Sequence, residues 1–202
     1  MQHPVRRFLF LLASTRQLGN SEQLAYCAAH HLPPGAAQQW IRLLDYPLPD
    51  FVDLRHNGTF PTPTGNAKLL LKATLQATDI VLVAPLYWYS LPVQAKNYLD
   101  YWSAWLRIPS LSFRQKMMGK ALWSITVGSG DPSEAQPLEA SLVLTAQYMQ
   151  MPWAGMLYGR GSRPNDIQDD VRALERAKSF FAAPVPTPES IRLPSLQKAP
   201  LN

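Results

Sequence analysis

Phe8-Leu9-Phe10-Leu11-Leu12-Ala13-Ser14-Thr15-Arg16-Gln17-Leu18-Gly19-Asn20-Ser21 opens on an unbroken apolar run and closes on hydroxyl, cationic and glycine residues. A run that is apolar at every position predicts a strand buried on both faces. Residues 21–31, with Leu24, Cys27, Ala28 and His31 at helical spacing, predict a helix directly behind it. Arg6 and Arg7 ahead of the run give it the look of a secretion signal, but residues 8–13 supply only six apolar positions. A signal core needs about seven to fifteen and a membrane span about twenty. Residues 80–89 are excluded as a span in the same way, being short and interrupted by Pro85.

Outward from this stretch, strands and helices alternate. Residues 40–44, 80–84, 121–127 and 153–158 are further apolar runs of strand length. Between them lie helical patterns at 67–77, with Leu70, Leu71, Ala73 and Thr74 on the buried side, at 92–106, at 133–149 and at 167–182. Ser90 and Pro92 mark the start of the second of these, since proline is tolerated in a first helical turn. Five strands alternating with five helices imply an α/β fold, with parallel pairing through right-handed crossovers and helices on both faces. The doubly wound five-stranded order 2-1-3-4-5 follows, with its ligand outside the carboxyl ends of the strands, beside the switch between the first and third. Three loops fall there: 14–21, 85–92 and 128–133.

Residues 45–66 form a long connection carrying Pro47, Pro49, Pro61 and Pro63, and that length marks a functional loop. Residues 1–183 read as one domain. Residues 184–202, punctuated by Pro184, Pro186, Pro188, Pro194 and Pro200, read as an extended or disordered tail that folding and ligand binding do not need.

The chain has 202 residues, 47% of them hydrophobic and 16% charged, which excludes disorder for most of it. Nineteen Lys and Arg against fourteen Asp and Glu leave a net charge of +5, a balance that suits a small anionic ligand and not a nucleic acid. The lone Cys27 rules out an internal disulfide and reads as an inert thiol facing the core. Four scattered histidines leave no metal site, and the composition points to the cytoplasm. Asp100, Glu139 and His56 read as ordinary solvated residues, and no second carboxylate is placed for acid/base work.

Each of the three loops admits a chemical and a plain reading. Ser14, Arg16, Gly19, Asn20 and Ser21 supply hydroxyls, a cation, a turn glycine and free N–H groups at one helix start, which is what a phosphate needs; the plain reading is a turn capped by Asn20 or Ser21. The loop is not a P-loop and lacks the three glycines of a dinucleotide fingerprint. Pro85-Leu86-Tyr87-Trp88-Tyr89-Ser90-Leu91-Pro92 puts three aromatics at a strand end, suited either to border a flat conjugated ring or to cover the core. Gly128-Ser129-Gly130-Asp131-Pro132 allows close backbone approach, or forms a simple turn.

Taken together, the three loops resemble the NAD(P)H-dependent FMN reductase family of flavodoxin-like flavoproteins over about residues 8–180. The family pattern Ser-x-Arg-x-x-Gly-Asn-Ser/Thr is matched by Ser14, Arg16, Gly19, Asn20 and Ser21. Leu48-Pro49-Asp50-Phe51 and Pro85-x-Tyr87-Trp88-x-Ser90-x-Pro92, continuing through Lys96 and Asn97 to Asp100, are similar as well. The resemblance implies FMN with its phosphate on Ser14, Arg16, Asn20 and Ser21, its ring against Pro85, Leu86, Tyr87 and Trp88, and Gly128, Ser129 and Gly130 near the other edge. Tyr89 is bulkier than the family's residue there, and Gly130-Asp131-Pro132 departs from its pattern, so both bear on access to the ring.

The activity so implied is hydride uptake from NAD(P)H followed by electron delivery to a quinone, flavin, azo or nitro acceptor, by a ping-pong route that needs no catalytic side chain. The competing reading is a flavodoxin-type electron carrier or regulatory flavin module, which the +5 balance disfavours because such carriers are strongly acidic. Tyr98, Trp102 and Trp105 at helical spacing read as core or subunit contact; a homodimer or higher homo-oligomer is expected from the resemblance to dimeric flavoproteins and on the premise that Tyr98, Tyr101, Trp102 and Trp105 form an exposed patch on their helix.

Overall fold

β1 (Arg7–Leu12) is buried at every position after Arg7, as its composition requires. Its alternate side chains feed two separate cores. Phe8, Phe10 and Leu12 pack with α1 (Asn20–Ala29) and α6 (Val171–Ala177). Leu9, Leu11 and Ala13 face α2 (Gly65–Gln76), α3 (Val93–Leu106), α4 (Phe113–Met117) and α5 (Gln136–Tyr148). The computed structural model describes residues 5–182, so the domain boundary at 183 and the tail expected at 184–202 lie outside the described residues.

The sheet is five-stranded and wholly parallel, in the order β2-β1-β3-β4-β5. β3 (Asp79–Pro85) and β4 (Ala121–Gly128) run through its centre. β2 (Ala37–Arg42) and β5 (Trp153–Arg160) form the edges. β2 starts three residues before the predicted position because its first half, Ala37-Gln38-Gln39, is exposed and lacks the apolar signature. A short 3₁₀ turn at Leu43–Asp45 takes its predicted end.

The helix expected at 167–182 is broken. A 3₁₀ turn at Asp166–Asp169 precedes α6, and another at Phe180–Ala182 follows it. Asp170 causes the first break: its carboxylate accepts from Ala173 N at 3.0 Å and from Arg160 N at 2.7 Å, an N-cap role incompatible with a helix interior. Asp131 likewise caps a 3₁₀ turn at Pro132–Ala135, so α5 begins at Gln136. α4, five residues long, is too short for a visible period.

The expected aromatic patch is not exposed. Tyr98, Trp102 and Trp105 are buried in the core and Tyr101 is half-buried, because α3 is packed on the sheet by its aromatic side. Thr74 Oγ1 donates to Leu70 O at 2.7 Å, so the Tyr98 hydroxyl, 2.6 Å away, must donate to Thr74. Burial pushes the Tyr98 phenol up to about 12. Cys27 is half-buried, Asp100 pairs with Lys96 one turn before it, and His56 is exposed.

Candidate active site

The first wall grows from the end of β1. Ser14 Oγ accepts the Arg16 N–H at 3.1 Å, folding residues 14–16 into a tight turn. Leu18 takes the left-handed conformation, with φ +50°, and Gly19 is the N-cap of α1 without a capping side chain. The opening N–H groups of α1 therefore face a partly buried polar pocket together with the positive end of the helix dipole.

A buried carboxylate holds this loop in shape. Glu22, 2% exposed, accepts from Leu18 N at 2.8 Å and from Tyr26 Oη at 3.1 Å. The Arg42 guanidinium donates to both its oxygens at 2.7 and 2.8 Å. Neutralised in this way, Glu22 fixes the strained Leu18 without adding net charge beside the pocket. Burial, and then Glu22 itself, hold the Tyr26 phenol above its ordinary range.

The second wall follows β3. Leu86 N donates to Val127 O at 2.9 Å, extending the sheet ladder by one step. Tyr87 and Ser90 then exchange two backbone hydrogen bonds, at 3.0 and 3.1 Å, around Trp88 and Tyr89. Both central residues have positive φ, +48° and +60°, a turn that ordinarily takes Asn-Gly. Side chains this bulky make it a strained element at the rim of the pocket.

The third wall follows β4. A Cβ on Gly128 would lie 2.8 Å from Tyr158 Oη and 3.3 Å from Leu86 Cδ2, so any side chain here would displace Tyr158. Tyr158 Oη donates to Gly130 O at 2.9 Å and holds the loop after β4 against β5. Burial raises the Tyr158 phenol, with Glu134 adding to the shift.

These walls enclose a cleft of about 220 Å³ at the carboxyl ends of β1, β3 and β4. Ser14, Arg16, Gly19, Asn20 and Ser21 line one part, and Pro85, Leu86, Tyr87, Gly128 and Ser129 another. Two residues singled out in the sequence stand apart: Trp88 is 93% exposed, and neither Trp88 nor Gly130 lines the cleft. Val127, Gly161 and Ser162 line it without having been foreseen. Glycine after a strand was the available signal at Gly161, hidden because the apolar run of β5 ends at Tyr158, whereas the strand continues to Arg160.

The lining fits a phosphorylated, hydroxyl-bearing ligand with a flat apolar end. It offers hydroxyls, an exposed guanidinium and a helix N-terminus at one part, and Pro85, Leu86 and glycine backbone at the other. Asn20 Oδ1 is buried without a partner among the described residues, as expected of a group that a ligand completes. No grouping of three His, Cys, Asp or Glu side chains that could hold a metal occurs among the described residues. None of the described helices is long and apolar enough to cross a membrane.

The long loop 46–64 is pinned to α3. Asn97 Nδ2 donates to Leu48 O and Pro49 O at 3.3 and 3.0 Å, and Tyr101 Oη to Pro49 O at 3.2 Å. Beneath the loop lies an apolar cavity of about 550 Å³, bordered by Phe51, Phe60, Tyr101 and Trp105, none of which lines the first cleft.

A doubly wound parallel sheet, with a polar strand-to-helix loop and an aromatic loop meeting at its switch point, defines a flavodoxin-like mononucleotide-binding protein. The chain belongs to the NADPH-dependent FMN reductase family, which it matches over residues 6–158. It is 32% identical over 170 residues to YwqN of Bacillus subtilis (strain 168), whose name describes an NAD(P)H-dependent FMN-containing oxidoreductase; the match covers 83% of this chain and 92% of the relative. Among solved structures it resembles the Trp repressor binding protein of Bacillus subtilis, with a TM-score of 0.68 and 26% identity over 86% of this chain and 97% of that one. An azoreductase from Bacillus anthracis str. Sterne shares the fold, with a TM-score of 0.62 and 20% identity over 89% of this chain and all (100%) of that one. Membership makes FMN the cofactor and a reduced nicotinamide nucleotide the electron source.

Proposed function

We propose that the protein takes hydride from NAD(P)H and passes the electrons to a small quinone, flavin, azo or nitro acceptor by a ping-pong route. The observation that carries this reading is the single cleft in which phosphate-binding and ring-binding chemistry meet. When bound, FMN supplies the hydride and electron chemistry, so no catalytic side chain is invoked. Ser14, Arg16, Ser21 and the N-terminus of α1 hold its phosphate. Pro85, Leu86 and Tyr87 support the ring on one side, with Trp88 at the mouth. Gly128 and Ser129 bring backbone close to its other edge, where N–H groups favour negative charge, and Gly130 stands behind them, held by Tyr158. The two substrates use one mouth in turn, which is the physical basis for the ping-pong order.

The purified protein should be yellow, and anaerobic NADPH should bleach it within seconds to minutes, with colour returning on addition of a quinone. A yellow protein that NADPH leaves unbleached would make it an electron carrier. The net charge of +5 supports the oxidoreductase over that alternative.

We also propose a homo-oligomer located in the cytoplasm. With Tyr98, Trp102 and Trp105 buried, the support for self-association moves to Trp88, Tyr89 and Val93, which are exposed and close in sequence at the rim. Light scattering should give at least twice 22.7 kDa; a monomer at micromolar concentration would refute it.

A further inference from the structure

We propose that the loop following β5 closes the phosphate end of the cleft, with Ser162 as a further phosphate-binding residue and Asn20 as the latch that holds the loop in place. The inference rests on the reading of the cleft as an FMN site. Gly161 and Ser162 line the cleft together with Ser14, Arg16 and Ser21, although they come from the opposite end of the chain. Three contacts fix them there. Gly161 N donates to Gly128 O at 2.9 Å, joining this loop to the one after β4. Asn20 Nδ2 donates to Arg163 O at 2.8 Å, joining it to the first turn of α1. The Asp166 carboxylate accepts the N–H groups of Ser162 and Arg163 at 2.9 and 2.7 Å. These bonds, Ser162 N first, hold the Asp166 carboxyl below its usual range.

The backbone donors of Gly161, Ser162 and Arg163 are thus engaged, and what the cleft-lining part of the loop offers a ligand is the Ser162 hydroxyl, which makes no hydrogen bond among the described residues. Gly161 sets how closely the loop meets α1: a Cβ there would lie 2.8 Å from Asn20 Nδ2 and 3.1 Å from Asp166 Cβ. Any side chain at 161 would push Ser162 away from the phosphate loop.

Asn20 is 7% exposed, and with Nδ2 committed to Arg163 its remaining atom is Oδ1, a buried acceptor without a partner among the described residues. A phosphate dianion has no proton to give it, but a sugar-alcohol hydroxyl does. The side chains therefore divide the ligand between them. Ser162 and Arg16 donate to phosphate, Asn20 Oδ1 accepts from a ribityl hydroxyl, and only the Asn20 backbone N–H remains available to the anion.

The test is titration of the full-length chain, freed of flavin, with FMN and with riboflavin, which has the ribityl chain and lacks the phosphate. Ser162→Ala should weaken FMN roughly tenfold or more and leave riboflavin within about twofold, while Ser162→Thr, which keeps the hydroxyl, should bind FMN like the parent. Asn20→Ala should weaken both ligands, FMN the more, because it loses the acceptor and releases the loop. Equal losses for the two ligands in Ser162→Ala, or FMN affinity unchanged, overturn the proposal while the parent's binding of FMN upholds the cofactor reading. A parent chain that binds neither ligand overturns both.

Discussion

Arg42, the last residue of β2, and Glu22, in the first turn of α1, form a two-oxygen ion pair that is almost fully out of water, with side-chain exposures of 14% and 3%. Through Leu18 N, this pair ties the edge strand of the sheet to the conformation of the phosphate loop.

Removing one partner leaves the other charge buried. Glu22→Ala should therefore cost about 3 to 5 kcal/mol in urea denaturation. Glu22→Leu combined with Arg42→Met should recover a large part of that, since a well-packed apolar pair escapes the desolvation penalty. A single-variant loss below about 1 kcal/mol would show the pair to behave as a surface one.

Arg16 is exposed at the cleft, and its guanidinium has no hydrogen-bond partner among the described residues. Losing a bond to a charged group costs about 1.5 to 3 kcal/mol, so Arg16→Ala should weaken FMN by roughly ten- to 150-fold. Riboflavin binding should hardly change. Calorimetry that finds both ligands equally weakened would place Arg16 against the ring or in the support of the fold.

Gly128→Ala should strain the cleft from within. Its Cβ would meet Tyr158 Oη at 2.8 Å, and turning the ring away would break the 2.9 Å bond to Gly130 O. A loss of about 1 to 3 kcal/mol of stability is expected, together with weaker flavin retention. Adding Tyr158→Phe removes the clashing atom, and a double variant no better than Gly128→Ala would rule out this steric cause.

Alkaline pH should expose the Tyr98 burial. The unfolded phenol ionises near 10 and the folded one at about 12, so the contribution is fully present below pH 10 and is lost as pH rises towards 12. The two-unit window corresponds to roughly 3 kcal/mol. Tyr98→Phe should flatten that decline in urea denaturation between about pH 9 and 12. Parallel slopes for parent and variant would contradict it.

The sheet order was legible in the sequence because its three central strands are buried on both faces and read as apolar runs. Edge strand β2 was harder, since its first half is exposed on both faces, at Gln38 and Gln39, and so lacks an apolar run. Helical spacing shows which residues share a face but not what the face meets, so Tyr98, Trp102 and Trp105 looked equally suited to a partner or a core. Of the cleft, the residues in recognisable runs were found. Gly161 and Ser162 belong to no motif, and long-range bonds, among them those of Asn20, Gly128 and Gln23, bring them there. Trp88 stands outside the cleft for a local reason: the positive-φ turn at Trp88 and Tyr89 carries its indole outward. Glu22 was overlooked because a glutamate near a helix start looks like any solvated one until Arg42 is seen against it.

That outward indole gives the protein a built-in optical probe. Of the six tryptophans, Trp102, Trp105, Trp123 and Trp153 are buried, Trp40 is half-buried and Trp88 alone stands almost fully in water. Its emission should sit at longer wavelength than the rest and be the component that iodide quenches. Because the same residue stands beside Tyr87, which lines the cleft, anything that settles at the mouth should shield it from the quencher. Arrival of a nicotinamide or an acceptor could thus be timed on unlabelled protein, separately from the colour change of the flavin.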